Sequence, residues 1–197
     1  MMASGDTVRV FIALDLPQDA KEVLAETIGQ LRSVIPSGVR WVDPWGIHLT
    51  LKFLGNVDTS VVDDILAAMR VASENYSGPK FSLTLSALGL FPNIKQPRVL
   101  WAGADGDLDT LTSLQTLVDE AVSRLGFSPE KRPFRPHLTL GRVQDGVPPG
   151  GRRSIGEAAV KALLPPVAAW EVDSMHLIRS TLTPQGAIYT SLGTVAL

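Results

Sequence analysis

The tetrapeptide HLTL occurs at 48–51 and again at 137–140. Such an alternation suits an extended chain, because successive side chains of a strand point to opposite faces. His48 and Thr50 then share one face and Leu49 and Leu51 the other. His137 and Thr139 pair in the same way, against Leu138 and Leu140. Each strand buries its leucines and presents an imidazole beside a hydroxyl. Two of the chain's three histidines stand in this one context. The feature therefore demands two half-buried strands, far apart in sequence, each with one polar face to place.

The surrounding text supplies the partners. TVRVFIAL at 7–14 is β-branched and apolar and reads as a buried strand. Pro17, Asp19 and Glu22 suit a helix start, and Leu24, Ile28 and Leu31 repeat at helical spacing, so 17–33 is predicted helical. Short strands follow at 39–43 and 46–54. Val61, Ile65, Leu66 and Met69 mark a second helix over 58–75, with Asp58 at its N-cap. FSLTLSALGLF at 81–91 and PRVLWAGA at 97–104 read as paired strands. Leu111, Leu114, Val118, Val122 and Leu125 mark a third helix over 107–125, stopped by Gly126. PHLTLGRV at 136–143 is a strand, QDGVPPGGRRS a loop, 154–164 a short helix, and the last thirty residues a closing hairpin. The order predicts an α+β fold with a faint internal duplication, each half owning one HLTL strand.

If the two halves pack about a pseudo-two-fold axis, the His/Thr pairs face each other across a cleft. One imidazole can then take a proton while the other gives one. Threonine hydroxyls and cationic side chains can hold anionic oxygens. That equipment suits in-line displacement at phosphorus without a metal. In this reading Lys52 stays in phase with His48 and Thr50. Arg142 is out of phase with His137 and reaches the site only if its strand twists or bulges. His176 lacks a threonine two places on and reads as structural or as a surface residue of the last hairpin.

Composition narrows the rest. A net charge of −2 is unlike that of a protein that wraps nucleic acid, so contact with a strand end is expected instead. With no cysteine, disulfides, thiolate metal sites and a cysteine nucleophile are excluded. No apolar stretch is long enough to span a bilayer, and a cytoplasmic protein is expected. Neither HLTL is joined by HExxH or an acidic cluster, so no metal or other cofactor is expected.

Taken together, RVFIALDLP at 9–17, HLTLKFLG at 48–55, PRVLWAG at 97–103, FRPHLTLGRV at 134–143 and the tail from Trp170 through GAIYTSL resemble one family. It is the RNA 2',3'-cyclic phosphodiesterases, long described as 2'-5' RNA ligases, within the two-histidine phosphoesterase superfamily. The resemblance implies one bilobal domain over 1–197, made of two pseudo-symmetric lobes around a central cleft, each an antiparallel sheet with helices packed outside. It implies catalysis by His48 and His137, with Thr50, Thr139 and Arg142 binding the phosphate. Water would open a 2',3'-cyclic phosphate on RNA or a nucleotide and leave a 2'-phosphomonoester. His137 is assigned to activate the water and His48 to protonate the departing 3' oxygen, although two near-equivalent motifs leave that orientation open. A monomer is expected, since one chain supplies both motifs. A 2'-5' RNA ligase using the same site, with a hydroxyl replacing water, and a non-catalytic module that grips a nucleotide or RNA end are the alternatives. Around the motifs, Phe11 reads as core or as a border of the nucleoside. Trp41 and Trp45 read as packing or as base-stacking residues. Arg152 and Arg153 read as a phosphate-contacting rim or as solvated loop residues.

Overall fold

The computed structural model describes residues 6–184 and 186–197. In chain order the elements are β1 (Thr7–Leu14), α1 (Gln18–Val34), β2 (Val39–Trp41), a 3-10 turn at Pro44–Gly46, β3 (Leu49–Asp58) and a 3-10 turn at Thr59–Val61. Then come α2 (Val62–Asn75), β4 (Phe81–Phe91), β5 (Val99–Gly106), α3 (Leu108–Ser123) and β6 (His137–Val143). The chain closes with α4 (Pro149–Ala159), β7 (Trp170–Val172), β8 (Ser174–Thr183) and β9 (Gly186–Ala196). The fold is α+β, built on two antiparallel sheets. Asp58 ends β3 and caps the 3-10 turn, taking a 2.9 Å hydrogen bond from the Ser60 amide, so the predicted second helix begins at Val62.

The four-stranded sheet runs β3-β1-β8-β9 and the five-stranded sheet β2-β6-β5-β4-β7. Each sheet owns one HLTL strand, but the lobes are not the two halves of the sequence. β2 and β4, from the first half, join the second sheet; β8 and β9 close the first. The helices cross over too. α3 packs on β3 of the first sheet, and α4 packs on β4 and against α1. Crossing is the way to cover both outer faces, because each sheet must bury an apolar side. One buried cluster results, running from Ile12 and Leu14 through Leu24 and Ile28 to Leu114, Leu138 and Leu177.

Two irregularities position everything that follows. Ile12 faces Lys52 and Ala13 faces Thr50, which leaves Leu51 without a partner on β1. Leu100 faces Gly141 and Trp101 faces Thr139, which leaves Leu140 without a partner on β5. Both HLTL motifs thus end in a β-bulge at their last leucine. A bulge adds one residue to one strand and reverses the phase of every side chain beyond it. Both extra leucines stay buried, at 4% and 0% exposure, so each motif keeps its grip on the core across the kink. A further shift leaves Leu54 unpaired before Gly55, whose φ of +79° is one that glycine adopts without penalty.

The predicted loop QDGVPPGGRRS is only partly a loop. Its second half belongs to α4, which starts at Pro149 and ends at Ala159 instead of spanning 154–164. Proline at the first helical position costs no hydrogen bond. The helix is held from outside itself: Ile155 and Ala159 are buried, and the Arg152 guanidinium donates to the carbonyls of Pro97 (3.0 Å), Gln144 (2.9 Å), Asp145 (3.2 Å) and Val147 (3.0 Å). Arg152 is therefore a clasp for the chain, and Arg153 pairs with Glu157 one turn along at 3.2 Å. Of the two arginines considered from sequence, Arg152 is thus committed to main-chain carbonyls, while Arg153 stays exposed at the surface.

Candidate active site

The two motif strands approach each other across the cleft. His48 stands at the mouth of β3, just after the turn PWG. Its Nδ1 donates to the Gly46 carbonyl at 2.8 Å. His137 opens β6, and its Nδ1 donates to the Arg135 carbonyl at 2.7 Å. A carbonyl oxygen can only accept, so each Nδ1 carries the proton and each Nε2 is left for chemistry. The same arrangement, imidazole to the carbonyl two residues back, recurs in both lobes. It fixes the tautomer and the ring direction at once. Thr50 and Thr139 are half-buried on the same faces as these histidines, and neither hydroxyl is bound to another described residue.

The bulges sort the cations. Beyond Leu140, Arg142 turns onto the face of His137 and Thr139, and it is exposed there. This is the bulge that its expected role required. Beyond Leu51, Lys52 turns the other way. It is 7% exposed, paired with Asp119 of α3, and donates to the Ser128 carbonyl at 2.7 Å. The expectation that Lys52 shares a face with His48 fails for that reason. In its place the fifth residue from His48, Phe53, faces the cleft at 61% exposure. Phe53 and Arg142 occupy equivalent places in the two motifs, one an aromatic surface and the other a cation.

The imidazoles are walled by aromatic rings. Phe11 stacks on His48 with centroids 4.4 Å apart and meets Phe53 at 5.8 Å. Phe11 is 3% exposed, yet it serves as the wall behind an imidazole, a role between the two considered from sequence. Tyr189 of β9 meets the His48 ring edge-on at 4.9 Å and lies over Gly46, where a Cβ would come within 3.0 Å of its Cδ2. Sequence reasoning assigned Tyr189 no part. Its signal was weak: one tyrosine in a closing strand, whose partner across the fold no local pattern names. In the other lobe Phe91 meets His137 at 5.1 Å and stacks on Trp101 at 4.9 Å. Trp41 is half-buried against the core, and Trp45 is exposed in the turn before His48. His176 shares a face with Ala13, but Thr194 Oγ1 at 3.0 Å and Ser174 Oγ at 3.4 Å occupy both of its ring nitrogens. It is half-buried in the closing hairpin and held by residues of β8 and β9.

Burial sets the electrostatics of His48. Desolvation lowers its pKa, against the bond to Gly46 and the charge of Asp15, which raise it; Lys21 adds a smaller lowering. Burial raises the Tyr189 phenol, while Arg142 and Arg9 pull it down. Arg142 and Arg9 stand on different sheets, each exposed on a strand that also carries a residue of the site, His137 on β6 and Phe11 on β1. Replacing Tyr189 with alanine admits water to the His48 ring edge. The expected result is an upward move of the His48 titration midpoint toward about 6.5, read by NMR. An unchanged midpoint would assign the desolvation elsewhere.

Among the described residues no three His, Asp or Glu side chains gather as metal ligands, and no helix is long and apolar enough to cross a membrane. An open groove of about 710 Å³ lies between the ends of α1 and α4 around Val34, Gly38 and Val147, and holds neither motif.

Comparison with known proteins places this fold and its two HLTL strands in a family. The family model for the 2'-5' RNA ligase superfamily matches residues 19–183. The chain belongs to that superfamily. A Methanothermobacter thermautotrophicus RNA 2',3'-cyclic phosphodiesterase is 33% identical over 185 residues, covering 94% of this chain and 96% of its own. One from Thermotoga maritima is 35% identical over 185 residues, covering 94% and 93%. Among solved structures of the superfamily's fold, a Thermus thermophilus protein aligns with a TM-score of 0.74 and 30% identity over 96% of this chain and 97% of that one. E. coli LigT complexed with 3'-AMP aligns at 0.70 and 27% identity over 98% and 99%.

Proposed function

We propose that this chain hydrolyses 2',3'-cyclic phosphates at RNA ends or on nucleotides, without a metal, and releases 2'-phosphomonoesters. The observation that carries the reading is the matched anchoring of the two imidazoles. Each is tied by Nδ1 to the carbonyl two residues back, and each strand presents a free threonine hydroxyl beside the ring. The activity printed for the relatives, at about a third identity over nearly the whole chain, supports the same chemistry.

In the proposed reaction water attacks phosphorus, the P–O3' bond breaks, and the electron pair leaves with O3'. Nε2 of one histidine takes the water proton and Nε2 of the other supplies one to O3'. Thr50, Thr139 and Arg142 hold the oxygens that stay on phosphorus. Phe53 offers its face to the base. The desolvation of His48 favours the reverse of the orientation expected from the motifs. An imidazole with a lowered pKa is neutral near pH 7 and suits the base, leaving His137 as the acid. The acidic limb of kcat/KM, which reports the free enzyme, then falls below about 6.5.

The test is product analysis after incubating adenosine 2',3'-cyclic phosphate with the protein in chelator. Adenosine 2'-phosphate is expected. A 3'-phosphate would reverse the assigned leaving group, loss of turnover in chelator would return a metal to the mechanism, and tight binding without product would make the chain a binding module. Ligation is the same displacement with a 5'-hydroxyl in place of water, leaving a 2'-5' phosphodiester as O3' departs, and the family's printed name favours keeping it as the second reading. Adding an RNA with a 5'-hydroxyl to cyclic-phosphate-ended RNA separates the two by product length.

A further inference from the structure

Beside Arg142, one more cation lies on the cleft side of the second sheet. In the antiparallel pairing of β2 with β6, Arg40 stands directly opposite Arg142. Residues directly opposite point to the same face. Their neighbours Val39, Trp41, Gly141 and Val143 face the interior, where a Cβ on Gly141 would crowd Val39 and Trp41. Arg40 and Arg142 are both exposed, and among the described residues neither forms an ion pair. Like charges directly opposite in a sheet destabilise it. In a chain of net charge −2, an acidic neighbour would have been easy to supply. An uncompensated pair of this kind is built for an anion that arrives from outside.

The place of the pair says which anion. Arg142 follows His137 and Thr139 on one strand, so it reaches the phosphate that reacts. Arg40 lies one strand further out, about 5 Å away, at the open edge of the sheet. Arg9 is exposed on β1 and alternates with Phe11, so it stands on the strand face that carries the ring behind His48. The nucleotide that ends in a cyclic phosphate carries its next phosphate on the 5' oxygen. We infer that Arg40, beside Arg142, holds that second phosphate, so the preferred substrate is a cyclic-phosphate end bearing a 5'-linked phosphate. The inference rests on the proposed reaction at the same site.

The experiment compares three substrates: adenosine 2',3'-cyclic phosphate, its 5'-phosphorylated form, and a dinucleotide ending in the cyclic phosphate. Wild-type protein is expected to prefer the two that carry a second phosphate. Arg40→Ala should reduce that preference in kcat/KM about ten-fold, and Arg40→Lys should restore part of it. The salt dependence of KM for the same substrates should weaken by about one charge. Gain in both arms assigns the subsite to any 5' phosphate; gain in the dinucleotide alone assigns it to an internucleotide phosphate. An equal loss on all three substrates, or no change in the ratio, overturns the inference. So does a fall in Tm for Arg40→Ala, because relief of a like-charge pair should leave Tm unchanged or higher. Binding of adenosine 3',5'-bisphosphate against adenosine 3'-phosphate, by calorimetry, gives the same comparison without turnover. If wild-type protein hydrolyses nothing but the bisphosphate preference depends on Arg40, the hydrolase reading fails and the subsite stands.

Discussion

Alanine at His48 or at His137 is expected to lower kcat for cyclic-phosphate hydrolysis about 10²–10⁴-fold. The double substitution should cost little more than the worse single one, because an acid and a base acting in one step fail together. Folding is checked separately, by unfolding midpoint and near-UV circular dichroism. His48 needs that control more than His137, since it fills the space between Phe11 and Tyr189. The pH profile of the residual activity carries more information than its size. If His48 is the base, its removal erases the acidic limb and leaves the basic one. The His137 variant should show the opposite. A swap of the two limbs would restore the orientation expected from the motifs alone. Full activity in either single variant would end the two-histidine mechanism.

Lys52→Ala is expected to destabilise the fold by about 3–5 kcal/mol, the usual consequence of removing one partner of a buried ion pair. The substitution strands the Asp119 carboxylate, 16% exposed, and removes the tie from β3 to the Ser128 carbonyl behind α3. Urea unfolding measures the loss directly. Lys52→Met with Asp119→Leu removes both charges and should recover most of it, because the desolvation of each ion offsets much of their attraction. The same variants separate structure from chemistry. A lysine serving the phosphate would show its defect in kcat at temperatures where the protein is fully folded. The buried pairing predicts a defect in stability instead.

These results would bear on two residues that the alternating pattern places wrongly or only conditionally. Lys52 and Arg142 each follow an HLTL at the fourth or fifth position after the histidine, and a strand of period two puts Lys52 in the site and Arg142 out of it. The bulges at Leu51 and Leu140 invert both assignments. A bulge belongs to a pair of strands, since the extra residue is extra only against a partner's register. Nothing within HLTLKFLG or HLTLGRV names that partner. α4 was hidden for a related reason. PPGGRRS has the local preferences of a loop, and its helix is held by Ile155, by Ala159 and by carbonyls that Arg152 reaches on separate segments.

The chain written out in one dimension determined the strand character of both motifs, the side on which each histidine and threonine stands, the leucines that anchor them, and the mixed helix and strand order. Those follow from alternation and helical spacing, which act between neighbours and need no tertiary partner. Tertiary structure decided the exchange of β2, β4, β8 and β9 between the sheets, the burial of His48 behind Phe11 and Tyr189, and the facing of Arg40 by Arg142. Each of these depends on which distant segments meet, and that is settled by covering two apolar sheet faces at once.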